Sequence, residues 1–530
     1  MPENFINRRS TNETRTRVRD ISPLSGMCAI CIEDCDTLCE IGKSALRGRE
    51  VLYPTPEYFG KSTAASNKDY TIDWSHFQIM TTVFGAGGIE VDEDKAIFPN
   101  ADITTEFGGV PLNIPVIVAG LGSTAVAKRN WDGLAVGSAI SGTIITVGEN
   151  VCGMDPKSKF ENGKVTYSKD LKYRIDTYRE LWDGKHGEIV LQTNVEDERF
   201  GVDEYAISKL EVNVIERKWG QGAKAIGGEV MIDDLDKAIM LKKRGYIVLP
   251  DPEDKNIQKK FKDGVFKRFE RHSRVGMPNR EGFVENIERL REKGAKKVFM
   301  KTGAYRPAVV AATLRYASDA KIDAITFDGA GGGTGMSPIP MMQECSTPTV
   351  WLQAQVLRCL RILKDHGRHI PDVAIAGGFT DETQVFKSIA MGNFGDEPYV
   401  KTVAMARAPI TAVMKAKHFA EKAKKGELQR TFVDNYGNEP EQFFICMDTL
   451  KRRYGEDYDK IPYGAIGFYT YLVDKVGTGL KQLMAGVRKF KLNEIDRKDL
   501  ASLTERAAEI SGIPTIEEVE KDDMEGILLD

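Results

Sequence analysis

The sequence has no excess of positive charge: 74 Lys and Arg stand against 78 Asp and Glu, a formal net charge of −4 over 530 residues. That balance offers nothing to neutralise a phosphate backbone, so no nucleic-acid partner is expected. No apolar run reaches the roughly 18 residues that a membrane-spanning helix needs. The first residues, Met1-Pro2-Glu3-Asn4, are polar and lack the apolar stretch of a secretory signal, so a cytoplasmic location is expected. Internal repeats and low-complexity tracts are absent. No G-x-G-x-x-G fingerprint stands between a strand and a helix, which argues against direct use of a nicotinamide cofactor. Cysteine is sparse, with eight in the chain, and a disulfide framework is not expected in a long cytosolic protein.

What is present is ordinary globular composition, 41% hydrophobic and 29% charged, enough to bury a sizeable core. Three regions are expected: an N-terminal arm and cysteine-containing region over 1–110, a main domain over 111–425, and a helical C-terminal extension over 426–530 packed on that domain. The arm is rich in arginine (Arg8, Arg9, Arg15, Arg17, Arg19). From about Asn113 the pattern changes to short β-branched runs alternating with longer helical segments. The runs are Ile114–Ala119, Ile144–Val147, Ile189–Thr193, Val212–Glu216, Val298–Lys301, Ala324–Phe327, Val373–Ala376 and Val400–Ala404. Plausible helices follow most of them, such as Ala308–Ala317 and Gln384–Ala390. Eight alternating units point to a (β/α)8 barrel of the TIM type, an α/β fold, over an open doubly wound sheet. A further run at Tyr246–Leu249 competes for a place in the count. Near the C-terminus, Thr478–Phe490 and Asp496–Ile510 both show amphipathic helical spacing.

Four strand ends carry candidate chemistry. Phe327-Asp328-Gly329-Ala330-Gly331-Gly332-Gly333-Thr334-Gly335-Met336-Ser337-Pro338 follows an apolar run, at the strand end where barrel active sites are assembled. Its glycines permit positive φ and let backbone N–H groups approach a ligand; a plain surface loop is the alternative. Gly377-Gly378 ends the seventh run, and Ala406-Arg407 follows the eighth. Barrels commonly place a phosphate there, on backbone amides and a helix N-terminus. Lys301 ends the fifth run, where an ammonium can stabilise a developing anion.

Four segments resemble the FMN-binding synthase domain of glutamate synthase. They are Lys218-Trp219-Gly220-Gln221-Gly222-Ala223-Lys224 with Gly227-Gly228, preceded by Arg199-Phe200-Gly201-Val202; Gly331 to Pro338; Val147-Gly148-Glu149; and Ala119-Gly120-Leu121-Gly122-Ser123. The resemblance covers roughly Asn113 to Phe490. It implies FMN as cofactor and reductive amination of 2-oxoglutarate to glutamate. It implies Lys218, Gln221 and Glu149 near the substrate, with Lys218, Glu149 and Lys301 as the catalytic group. It implies Gln192 and Lys301 by the flavin ring and Gly120 and Ser123 at the first strand end. On the phosphate side it implies Gly331, Gly332, Gly333, Thr334, Gly377, Gly378, Ala406 and Arg407. The flavin carries the redox step while the barrel supplies position and charge.

The chain also departs from that family. It has no glutaminase domain with an N-terminal nucleophilic cysteine, so ammonia is expected from solution or from a separate glutaminase subunit. The family's histidine- and aspartate-containing loop after the fourth strand is replaced by Leu249-Pro250-Asp251-Pro252-Glu253-Asp254 and a basic insertion. Gly331 stands where the family has aspartate. An N-substituted product such as N-methylglutamate, formed from an amine donor, is therefore a second reading. A flavin and iron–sulfur electron-transfer subunit without amino-acid chemistry is a third. A homo-oligomer is compatible with all three.

Cys28, Cys31, Cys35 and Cys39 form a C-x2-C-x3-C-x3-C run. Four thiolates so spaced can hold one 4Fe-4S cluster or a tetrahedral zinc. Iron–sulfur is favoured because a flavin enzyme served by a ferredoxin-like electron donor needs a one-electron relay; zinc and unligated thiols remain alternatives. Related synthases place their cluster cysteines just after the barrel, where Ala406 to Lys425 has none. The basic stretch Lys255 to Arg274 is expected to be either a solvated helical excursion or a lid that attracts a dicarboxylate or an acidic partner.

Overall fold

The computed structural model of the chain describes residues 45–46, 48–49, 70–89, 92–220, 226, 229–277, 279–332, 337–395 and 398–529. Cys28, Cys31, Cys35, Cys39, Gln221, Gly333 and Thr334 lie outside the described residues.

Eight parallel strands close into a barrel. They are β1 (Val116–Leu121), β2 (Ile145–Val147), β3 (Ile189–Thr193), β4 (Val214–Trp219), β5 (Lys297–Gly303), β6 (Ala324–Asp328), β7 (Asp372–Ala376) and β8 (Val400–Met405). Each coincides with one of the eight runs read from the sequence. The reason is burial: a barrel strand is covered by helices outside and by its neighbours inside, so it reads as a nearly unbroken apolar segment. The expected helices also form, as Pro307–Asp319 after β5 and Glu382–Met391 after β7.

The extra run at Tyr246–Leu249 is not a barrel strand. Ile247–Leu249 is an edge of a three-stranded antiparallel sheet, with Phe269–His272 at its centre and Glu229–Ile232 at the other edge. This sheet and its helices Leu235–Lys243 and Lys255–Lys262 form an insertion between β4 and β5. The basic stretch is therefore only partly a solvated helix. Its second half holds a strand in which Arg271 is 1% exposed, and the rings of Phe261, on the helix, Phe266 and Phe269 meet edge-on or tilted.

Alternation along the strands divides the barrel interior into levels. Val190, Val214, Phe299, Ala324 and Ala374 form a lower, apolar level. The hairpin Thr105–Phe107/Val110–Leu112 plugs the barrel's N-terminal end, with the Phe107 and Phe299 rings 5.3 Å apart. Gly108 makes the hairpin's tip possible: it has φ +57, and a Cβ there would lie 2.3 Å from the Phe299 ring. Two residues further along the strands the interior becomes charged, with Glu216 on β4 and Lys301 on β5, and Lys218 two residues beyond Glu216.

At the C-terminal end of the chain, Thr478–Gly486 is helical as expected. Asp496–Ile510 is not one helix. It divides into a short turn at Arg497–Asp499, a strand Leu500–Ser502 paired antiparallel with Phe77–Ile79, and a helix Glu505–Ser511. Burial of Asp499, held by Lys489 at 2.8 Å, and pairing to a distant strand override the local helical spacing. Among the described residues no helix is long and apolar enough to cross a membrane.

Candidate functional site

The charged cluster follows from strand register. Gln192 on β3 is level with Glu216 on β4, and Lys218 on β4 is level with Lys301 on β5. Because Glu216 and Lys218 are two apart on one strand, they face the same side, into the barrel mouth.

Lys218 Nζ lies 2.8 Å from Glu149 Oε1, in the loop that follows β2. Burial works against the charge on Glu149, but the Lys218 ammonium and its hydrogen bond outweigh it and hold the carboxyl below its ordinary range. Lys301 Nζ lies 3.3 Å from Asp328 Oδ2 at the end of β6. Burial would favour the neutral amine, yet Asp328, Glu216 and Glu149 together raise the Lys301 pKa and keep it protonated. Glu216 behaves oppositely: burial pushes its carboxyl up and prevails over Lys301, Gln192 and Lys218.

Gln192 is fully buried and donates Nε2–H to Glu216 Oε1 at 2.5 Å. Among the described residues its Oε1 has no hydrogen-bond partner. An orphaned buried acceptor at a barrel mouth fits a ligand carrying an N–H group. Gly120 on β1 gives the amide its space, since a Cβ there would lie 2.7 Å from Gln192 Oε1. Arg174, fully buried, donates to the carbonyls of Leu121 and Gly122 and fixes the adjoining loop. Ser123 is half-buried in that loop.

A second, uncharged cluster lies after β6 and β7. Gly377 and Gly378 have φ +121 and +92, values that L side chains rarely adopt. A Cβ on Gly331 would come within 2.6 Å of the Gly377 carbonyl, and one on Gly332 within 2.6 Å of Asp328 Oδ1. Thr349 donates to Gly377 O at 2.8 Å and joins the two loops. Beyond β8, Ala406 precedes the 19-residue helix Arg407–Lys425, whose first turn has no side-chain cap. Bare backbone facing a helix N-terminus suits an anion such as a phosphate. Arg407 is exposed at that helix start.

The fold therefore brings Glu149, Gln192, Lys218 and Lys301 into one polar cluster, and Gly331, Gly332, Gly377 and Gly378 into another. Sequence reading missed Glu216 and Asp328. Glu216 was detectable as the residue two before Lys218 on the same strand, and Asp328 as the last strand residue before the glycines. Among the described residues no cluster of His, Cys, Asp and Glu could hold a metal ion.

Residues 272–416 match the protein family described as "Conserved region in glutamate synthase". That span holds β5 to β8, Lys301, Asp328 and the glycine cluster. No curated protein matches the chain. Among solved structures, the chain is similar to the flavin-binding domain of baker's yeast flavocytochrome b2, at 14% identity over 81% of this chain and 76% of that one, with a TM-score of 0.44. It is also similar to a putative lactate oxidase of Pediococcus acidilactici, at 14% identity over 89% and 96%, with a TM-score of 0.46. A mutant (S)-mandelate dehydrogenase shows 12% identity over 81% and 88%, with a TM-score of 0.42.

Proposed function

We propose, from the match of residues 272–416 to a conserved region of glutamate synthase, that this chain is an FMN-dependent oxidoreductase that reductively aminates 2-oxoglutarate to glutamate. Ammonia would come from outside the chain, and electrons from a ferredoxin-like donor. The observation that carries the reading is the cluster at the barrel mouth: Lys218 on Glu149, Lys301 on Asp328, and the orphaned Gln192 acceptor beside a glycine cradle.

The residues fit FMN. Gln192 Oε1 and the Lys301 ammonium would face its ring system, and Gly331, Gly332, Gly377, Gly378 and the Ala406–Arg407 helix start would hold its phosphate. When bound, FMN supplies hydride transfer to a carbon–nitrogen double bond. Lys301, kept charged with Asp328 at 3.3 Å, would supply a cation to the ring system. Lys218 offers a cation to a substrate carboxylate and returns to Glu149 in its absence. Glu216, its carboxyl pushed up by burial, places a second titratable carboxyl within the same cluster. Cys28, Cys31, Cys35 and Cys39 are assigned to an iron–sulfur cluster, with zinc the alternative, on spacing alone.

Purified protein should show flavin absorption, release FMN on denaturation, and contain iron without stoichiometric zinc. With a chemical or ferredoxin reductant, 2-oxoglutarate and ammonium should yield glutamate. Formation of N-methylglutamate from glutamate and methylamine, with no glutamate from ammonium, would replace this reading by the amine-donor one. Absence of flavin would sink both.

A further inference from the structure

The turn that presents Glu149 is held from two sides. Asn150, the next residue, has φ +66, a left-handed conformation uncommon for a residue with a Cβ. Its N–H donates to Asp197 Oδ2 at 3.0 Å, on the helix Val195–Phe200 that follows β3. Its side-chain Oδ1 accepts from the Tyr246 hydroxyl at 3.1 Å. Asn150, Asp197 and Tyr246 are all buried. Tyr246 belongs to the insertion between β4 and β5, so a segment outside the barrel reaches the residue adjoining Glu149.

The insertion is built to deliver that hydroxyl. The Tyr246 ring lies edge-on to Phe200, with the Arg271 guanidinium 5.0 Å above its centre. Gly153 admits the hydroxyl, since a Cβ there would sit 1.9 Å from the phenol oxygen. Arg244 Nη1 donates to the carbonyls of Gly153 and Asp155, both at 2.8 Å, which ties the insertion to the loop after β2. Arg274 donates its backbone N–H and Nη1 to the buried Glu196 at 2.9 and 3.0 Å, which ties it to the helix after β3.

We propose that Tyr246 is a positioning residue: through Asn150 it locks the turn that sets Glu149 against Lys218, so the docked insertion governs the charged half of the site. If Asn150 returned to the right-handed region, the peptide on its N-terminal side would turn and carry the Glu149 side chain away from Lys218. The inference rests on the proposed function only for the identity of the substrate.

The test uses the full-length holoprotein and brief, limited acetylation with acetic anhydride, read at Lys218 and Lys301 by peptide mass spectrometry. Glu149→Gln sets the scale for a released Lys218. Tyr246→Phe keeps the ring and removes the hydroxyl. Asn150→Gly removes the acceptor and tolerates the positive φ, and serves as the second variant should Tyr246→Phe fold poorly. Both should raise Lys218 acetylation at least three-fold toward the Glu149→Gln level, leave Lys301 unchanged, and raise KM for the 2-oxo acid with the flavin spectrum unaltered. Unchanged Lys218 acetylation in both variants, or an equal rise at both lysines, overturns the proposal. Because acetylation needs no turnover, a wild type that forms no glutamate, with variants that still show the Lys218 response, would refute the proposed reaction and leave the positioning role standing.

Discussion

The two halves of the barrel make their sites from different materials. From β1 to β4 the mouth is lined by side chains: Gln192, Glu216 and Lys218, with Glu149 in the intervening loop. From β5 to β8 it is lined largely by backbone, with Gly331, Gly332, Gly377 and Gly378 placed where a Cβ would collide or a positive φ is required. Lys301 and Asp328 stand at the seam. The glutamate synthase match covers the backbone half and stops before the side-chain half. A bare-backbone cradle suits the constant part of a ligand, whereas charged side chains under an insertion of their own suit the part that distinguishes one substrate from another.

Breaking the backbone half should have the largest effect. Gly331→Val places a branched side chain against the Gly377 carbonyl, 2.6 Å from the position of its Cβ. FMN content of the purified variant should fall more than about ten-fold, at least ~1.4 kcal/mol of binding, as read by the ratio of flavin to protein absorbance. Breaking the side-chain half should spare the flavin. Lys218→Ala should retain FMN yet lose about 10²–10³ in kcat/KM for the 2-oxo acid. Loss of FMN in Lys218→Ala, or its full retention in Gly331→Val, would erase the distinction between halves.

A third test sharpens it through pH. Burial pushes the Asp197 carboxyl up to about 7 against hydrogen bonds from Asn150 and Asn194, while the unfolded chain carries an ordinary carboxyl near 3.8. Between these values the native state binds the extra proton, so stability from this group is complete below about pH 4 and is lost as pH rises through 7. Asp197→Asn should flatten the decline in stability from about pH 4 to 7, by up to about 1.4 kcal/mol per pH unit, in urea titrations. An identical slope in variant and wild type would refute the assignment. The smallest effect is expected at the exposed rim: Arg407→Ala should weaken FMN binding by about 1 kcal/mol or less, measured by fluorescence titration.

Much of this architecture was legible in the sequence because barrel strands are buried on both faces and leave unbroken apolar runs. The same signal could not tell Ile247–Leu249 from a barrel strand, since a short apolar run does not state which sheet it joins. Asp496–Ile510 misled for the opposite reason: its spacing is helical, but pairing of Leu500–Ser502 with Phe77–Ile79 is decided more than 400 residues away in sequence. In the site, Lys301 and the glycines announce themselves through strand-end position, and Lys218 through the motif resemblance. Glu216 was overlooked beside a more conspicuous lysine. The contact from Tyr246 to Asn150 spans 96 positions and has no local signature.

The hairpin that plugs the barrel floor has a consequence for traffic. With Phe107, Val110 and Leu112 packed beneath Phe299, the barrel floor is closed by side chains, and among the described residues the polar groups gather at the opposite end, the mouth. Oxo acid, ammonia and product would then queue at the same opening, and a lingering product would bar the next substrate.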